Sequence, residues 1–96
     1  MNTPATALEG ALELTRAMLV AARAAEWERL TELEAQRQPL VMQVHAPTAA
    51  SHQQLGEILL LDTQLCDLVG RARDEVAGQW QRESSRAQAI AAYAAG

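Results

Sequence analysis

Two histidines, one cysteine and several carboxylates are the side chains of this 96-residue sequence with chemical potential. His45 and His52 flank a loop, and with Cys66 and Asp62 they could in principle collect a metal ion. Neither histidine has a second ligand three or four residues away on a helix, and the sequence contains no CxxC pair. Solvated loop histidines are the better interpretation, so we expect no metal site and no cofactor.

Paired carboxylates can act as general acid and base, and Glu57, Asp62 and Asp67 follow one another within a short stretch. No His, Ser or Lys nucleophile lies near them in sequence and no Gly-rich phosphate loop is present, so we expect no enzymatic activity. Asp62 is unusual because it falls on an apolar stripe, between Leu59 and Leu65, where a charge needs a partner or water. We expect it to pair with an arginine, such as one from the second helix; setting the packing register or facing a bound partner are the alternatives.

Composition favours an all-α fold. Apolar residues make up 49% of the chain, mostly Ala and Leu, and Phe is absent. The net charge is −4 and the eight basic residues, all Arg, are scattered, which argues against binding nucleic acid or anionic membranes.

Cys66, alone in an apolar run, is interpreted as a buried or half-buried core residue. With neither a signal-peptide pattern nor a membrane-length apolar run, we expect a cytoplasmic protein.

The apolar periodicity predicts a single domain, residues 1–96, with helices at about 4–24, 26–44, 51–83 and 85–95. Thr3–Pro4 is a good helix start, and Ser51-x-x-Gln54 has the form of a capping box. The pattern from Pro4 to about Gln38 also allows one unbroken helix. Pro39 then predicts a kink, and Ser84–Ser85 is the weakest point of the third helix, so a short fourth helix can be separate from it.

The third helix carries a long apolar stripe. A helix of roughly 30 residues spans about 45 Å, which is more than one short helix can cover. Two shorter helices or another molecule must therefore pack along it. Core packing is the default for Trp27 and Trp80, although Trp80 is expected to be the more exposed. Tyr93 either caps a core edge or anchors the terminal helix in a groove.

Three segments together resemble the FliT-type flagellar export chaperones. They are Trp27-x-x-Leu30-x-x-Leu33-Glu34-x-x-Arg37-x-x-Leu40-Val41, then Leu55-x-x-Ile58-Leu59-x-x-Asp62-x-x-Leu65-x-x-Leu68-Val69 continuing through Arg73 to Val76, and Ala92-Tyr93. The resemblance implies a cytoplasmic antiparallel helical bundle that binds the C-terminal amphipathic segment of the filament-cap protein FliD. It also implies delivery to the export ATPase FliI with FliJ, negative regulation of the master regulator FlhDC, and a turn near Ala24–Glu26.

The client is expected to lie on the apolar stripe of the third helix, with a wall from the second helix and the following loop. We expect Ile58→Asp or Val69→Asp to weaken client binding while helicity is retained. The resemblance also implies that the terminal helix bearing Tyr93 regulates access to the binding surfaces. The alternatives are a FlgN-type chaperone for hook–filament junction proteins and a small homodimerisation module. The predicted partner-binding residues are Leu40, Val41, Val44, Leu55, Ile58, Leu59, Asp62, Leu65, Leu68, Val69 and Tyr93.

Overall fold

The computed structural model describes residues 6–95, which form three helices and no strand. The helices are α1 (Ala7–Arg23), α2 (Trp27–Val41) and α3 (Ala49–Ala95), so the predicted all-α class is confirmed. Helix α3 continues through Ser84–Ser85 without interruption. Within the described residues, no separate fourth helix therefore follows that dipeptide.

Threonines cap two of the helices. The Thr6 hydroxyl accepts a hydrogen bond from the Glu9 amide at 3.1 Å, and the Glu9 carboxylate accepts from the Thr6 amide at 3.3 Å, which is a capping box. The predicted start at Thr3–Pro4 lies outside the described residues. At α3, the Thr48 hydroxyl accepts from the Ser51 amide. The predicted cap at Ser51 is therefore wrong. The helix is capped three residues earlier, by Thr48, whose hydroxyl accepts from the Ser51 amide.

Helices α1 and α2 are separated by a tight turn at Ala24 and Ala25. The Glu26 amide donates to the Ala21 carbonyl at 2.9 Å and the Ala25 amide donates to the Ala22 carbonyl at 3.1 Å, which is a Schellman motif. It places Ala25 at φ 57°, a left-handed conformation usually taken by glycine. One unbroken helix from Pro4 to Gln38 is therefore wrong. Helix α2 itself continues through Pro39 to Val41.

Helix α1 is the central helix of the core. Eight of its residues are buried, compared with one of α2 and two of α3. Its small Ala11, Ala21 and Ala22 are nearly inaccessible, which allows the neighbouring helices to approach closely. The core divides into two clusters, one built on Leu8, Ala11, Leu12 and Ile58, the other on Met18, Leu19, Ala21, Ala22, Leu33 and Leu65.

Helix α3 is much longer than the two helices beside it. Its 47 residues span about 70 Å, and the molecule measures 76 × 22 × 20 Å. Helices α1 and α2, with 17 and 15 residues, span only about 22–26 Å each. The last third of α3 consequently projects beyond them. None of the helices described over residues 6–95 has the length and apolarity needed to cross a membrane.

Candidate functional site

An open groove of about 590 Å³ lies between α2 and α3, with Met18 of α1 at its base. Its surface is mostly apolar, and the polar groups are confined to a few positions along its edges. The α2 side is formed by Leu30, Thr31, Glu34 and Arg37, and the α3 side by Asp62, Leu65, Cys66, Val69, Gly70 and Arg73. A groove with this lining suits the apolar face of another helix.

One arginine connects all three helices at this groove. Arg37 of α2 donates to Asp62 of α3 at 2.5 Å, to Glu34 one turn earlier at 2.6 Å, and to the hydroxyl of Thr15 on α1 at 3.2 Å. The Thr15 hydroxyl in turn donates to the Ala11 carbonyl at 2.7 Å. The expected pairing of Asp62 with an arginine of the second helix is therefore confirmed.

Burial differs sharply between the two signs of charge in this network. The Arg37 side chain is only 12% exposed, whereas those of Asp62 and Glu34 are 35% and 46% exposed. Each carboxylate uses one oxygen for Arg37, and the second oxygen has no hydrogen bond from residues 6–95. The guanidinium is thus committed to the fold, while both carboxylates still present an oxygen that solvent or a partner can reach.

Two of the predicted partner-binding residues lie in the core. Ile58 is 4% exposed and packs with Leu8 and Leu12, and Leu65 is 6% exposed and packs with Met18 and its neighbours. Their side chains face α1 in this structure and are not accessible to a partner. Because a carboxylate at position 58 would be buried without a partner, the structure now leads us to expect that Ile58→Asp disrupts the fold.

The other predicted residues are divided among several surfaces. Asp62 and Val69 line the groove, and Leu68 and Leu40 are partly buried against the core clusters. Val44 faces a separate depression near Thr6, so it does not form the wall opposite Val69. The apolar members that are exposed outside the groove are Val41, Val44, Leu55, Leu59 and Tyr93.

Sequence reasoning missed several residues of the groove, among them Met18, Gly70 and Arg73. Cys66 is exposed and lines the groove, so its interpretation as a buried residue was wrong. A signal for this face was present in the sequence: Asp62, Cys66, Val69, Arg73, Val76 and Trp80 alternate at spacings of four and three, which places them on one side of a helix.

The projecting part of α3 carries an uncovered continuation of the apolar stripe. Val76, Trp80 and Ile90 are all well exposed, Trp80 to 70%. Core packing, the default for both tryptophans, is wrong for Trp80, and Trp27 is also exposed. No three His, Cys, Asp or Glu side chains in residues 6–95 are grouped closely enough to hold a metal ion.

A narrow helical protein with an open apolar groove and an exposed apolar helix face is typical of proteins that bind other polypeptides. Residues 5–95 match the family model for flagellar protein FliT, which covers nearly the whole chain. The chain therefore belongs to the FliT family, a family of flagellar export chaperones, as the resemblance predicted. Comparisons with curated proteins and with solved structures found no significant match.

Proposed function

We propose that the α2–α3 groove holds the C-terminal amphipathic segment of the filament-cap protein FliD before export. The observation that carries this proposal is the groove itself, with an apolar surface that no residue of the described chain covers. A client helix would place its apolar face on Leu30 and Val69. Holding this segment would keep the cap protein from assembling early.

The size of the groove is consistent with reversible binding. Burying one Leu-sized anchor contributes about 1.5–3 kcal/mol, and ordering a flexible peptide offsets part of that gain. Three or four anchors contribute about 4.5–12 kcal/mol before that offset, and micromolar binding needs a net of about 8 kcal/mol, which the upper part of this range supplies. An affinity in this range suits a chaperone that must release its client.

Gly70 leaves room for a close approach at the groove. A glycine inside a helix costs about 1 kcal/mol relative to alanine, and a Cβ at Gly70 would meet nothing within 4 Å. The fold of this chain therefore gives no reason for a glycine at that position. Close approach of a bound helix would give one, because Gly70 lies on the edge of the groove.

The test is calorimetry with a synthetic peptide that covers the C-terminal segment of FliD from the same genome. We expect saturable, micromolar or tighter binding with a negative change in heat capacity. Gly70→Leu fills the groove and should weaken binding at least tenfold. Gly56→Leu is the matched control, because a side chain there also meets nothing within 4 Å, yet Gly56 lies outside the groove, about 21 Å away along α3.

Two results would overturn the FliD proposal. One is equal affinity of the Gly70→Leu and Gly56→Leu variants for the FliD peptide, which would show that the peptide does not bind in the groove. The other is no binding of the FliD peptide together with binding of a hook–filament junction peptide, which would indicate a FlgN-type client. Circular dichroism of both variants would verify that each retains its helix content.

Family membership supports three finer proposals. The chain delivers its client in the cytoplasm to the export ATPase FliI and its partner FliJ, and it binds the regulator FlhDC as a separate activity. Its helices form an antiparallel bundle. In support of this, Gly10 near the start of α1 lies beside Leu40 near the end of α2, so that a Cβ atom at position 10 would approach the Leu40 side chain to 3.2 Å. Pull-down with each purified partner tests the binding proposals, and absence of retention contradicts them individually.

A second copy of the chain is the candidate partner for the uncovered stripe on the projecting part of α3. Val76, Trp80 and Ile90 continue the line of core-facing residues where no other helix follows. Analytical ultracentrifugation should show a concentration-dependent dimer, which Trp80→Glu would dissociate. A monomer at all concentrations would contradict this proposal and leave the groove proposal unaffected.

A further inference from the structure

The two ends of the α2–α3 groove have opposite charge. At one end, Glu34 and Asp62 share the single guanidinium of Arg37, so this end has two carboxylates for one cation. At the other end lies Arg73, which has no ion-pair partner among residues 6–95. Cys66 and Val69 lie between the two ends along α3.

Arg37 is not available to pair with an acidic residue of a client. Its side chain is 12% exposed and already donates to Glu34, Asp62 and Thr15. The accessible polar atoms at this end are instead the second oxygens of the two carboxylates. A charge-assisted hydrogen bond from a client's Lys or Arg to these oxygens would offset the excess negative charge.

Distance along α3 defines the spacing that a client must match. Asp62 and Arg73 are 11 residues apart, which is three helical turns and about 16 Å. A second helix lying along the groove covers this distance with the same number of residues. Oppositely charged residues about three turns apart would therefore reach both ends at once, with the apolar face between them on the groove.

We propose that the charge pattern of the groove selects the register of the bound helix, with a basic residue over Glu34 and Asp62 and an acidic residue over Arg73. This inference rests on the proposed function, since it concerns the client of the same groove. Charge complementarity of this kind fixes which of several similar apolar registers is occupied.

The experiment uses the full chain and the FliD peptide in calorimetry. We expect Arg73→Glu to weaken binding roughly tenfold and Glu34→Gln roughly threefold, with both effects reduced in high salt. Gln at position 34 retains an oxygen for Arg37 but loses the charge. Arg71→Glu is the matched control, because it makes the same charge change on α3 at a residue outside the groove.

Peptide variants identify the contact. Each acidic residue of the peptide is changed in turn to Lys, and one such change should restore affinity for the Arg73→Glu chain without restoring it for Glu34→Gln. Equal weakening by Arg73→Glu and Arg71→Glu, or failure of every peptide variant to rescue, would overturn the charge inference alone. Failure of the peptide to bind the unmodified chain would instead overturn the proposed function.

Discussion

Replacing Asp62 by alanine tests whether the Arg37 network stabilises the fold. The substitution removes a 2.5 Å hydrogen bond between charged groups and leaves Arg37, 12% exposed, with only Glu34 and Thr15 as acceptors. Hydrogen bonds to charged groups contribute about 1.5–3 kcal/mol. Because Asp62 is 35% exposed and partly hydrated, we expect a loss of about 1–2 kcal/mol in the free energy of unfolding.

Urea unfolding followed by circular dichroism at 222 nm measures this loss. With a slope of about 1 kcal/mol per molar urea for a chain of this size, the midpoint should fall by about 1–2 M. Asp67→Ala is the control, since Asp67 is an exposed carboxylate of α3 without an ion pair in the described chain. It reports the change in helix propensity alone, which favours alanine by about half a kcal/mol.

A double-mutant cycle separates the Asp62–Arg37 contact from other effects. In a chain that carries Arg37→Met, the partner of Asp62 is absent, so Asp62→Ala should then change stability no more than Asp67→Ala does. An equal loss in both backgrounds would refute the reasoning, because the cost would not arise from the pairing. A loss below about 0.3 kcal/mol in the unmodified chain would show that the desolvation cost of Asp62 cancels its attraction to Arg37.

Three further outcomes are expected from the structure. Ala25→Gly should raise the free energy of unfolding by about 0.5–1 kcal/mol in a urea titration, because it relieves the left-handed φ of 57°; a loss of stability would contradict this. Ile58→Asp should lower the stability by more than about 3 kcal/mol and abolish cooperative melting, whereas Leu59→Asp, on an exposed side chain, should remain within about 0.5 kcal/mol. Thr6→Ala should lower the melting temperature by about 4–8 °C for the roughly 1 kcal/mol that the capping box contributes, and an unchanged melting curve would show that the helix start is frayed.

Local sequence rules were sufficient to predict the helical class, the long third helix and the pairing of Asp62 with an arginine. Abundant Ala and Leu with scarce β-branched residues indicated helices, and the periodic stripe of the third stretch indicated one long helix with excess apolar surface. The pairing of Asp62 with an arginine of the second helix followed from its place on the stripe, because a carboxylate among leucines needs a cation. Family membership was also readable from the spacing of Trp27, Arg37 and Asp62 within their segments, together with the late Ala-Tyr pair.

The turn between α1 and α2 could not be located from local pattern. A Schellman motif usually has glycine at its left-handed position, which makes it recognisable in a sequence, but here alanine occupies that position. The strain at Ala25 is compensated by packing of α2 against α1, a tertiary effect that no local signal records. Continuation of α2 through Pro39 to Val41, by contrast, agrees with the predicted helix at 26–44.

The sequence by itself determined which residues of α3 are apolar and at what period, but not which of them are covered. Coverage depends on where α1 and α2 end along α3, and that is set by helix length and by the packing of α1 between the other two helices. This tertiary arrangement buries Ile58 and Leu65, leaves Cys66 and Val69 beside an open groove, and leaves Trp80 in solvent. A stripe is a one-dimensional property of the chain, whereas a groove requires two helices held apart by a third.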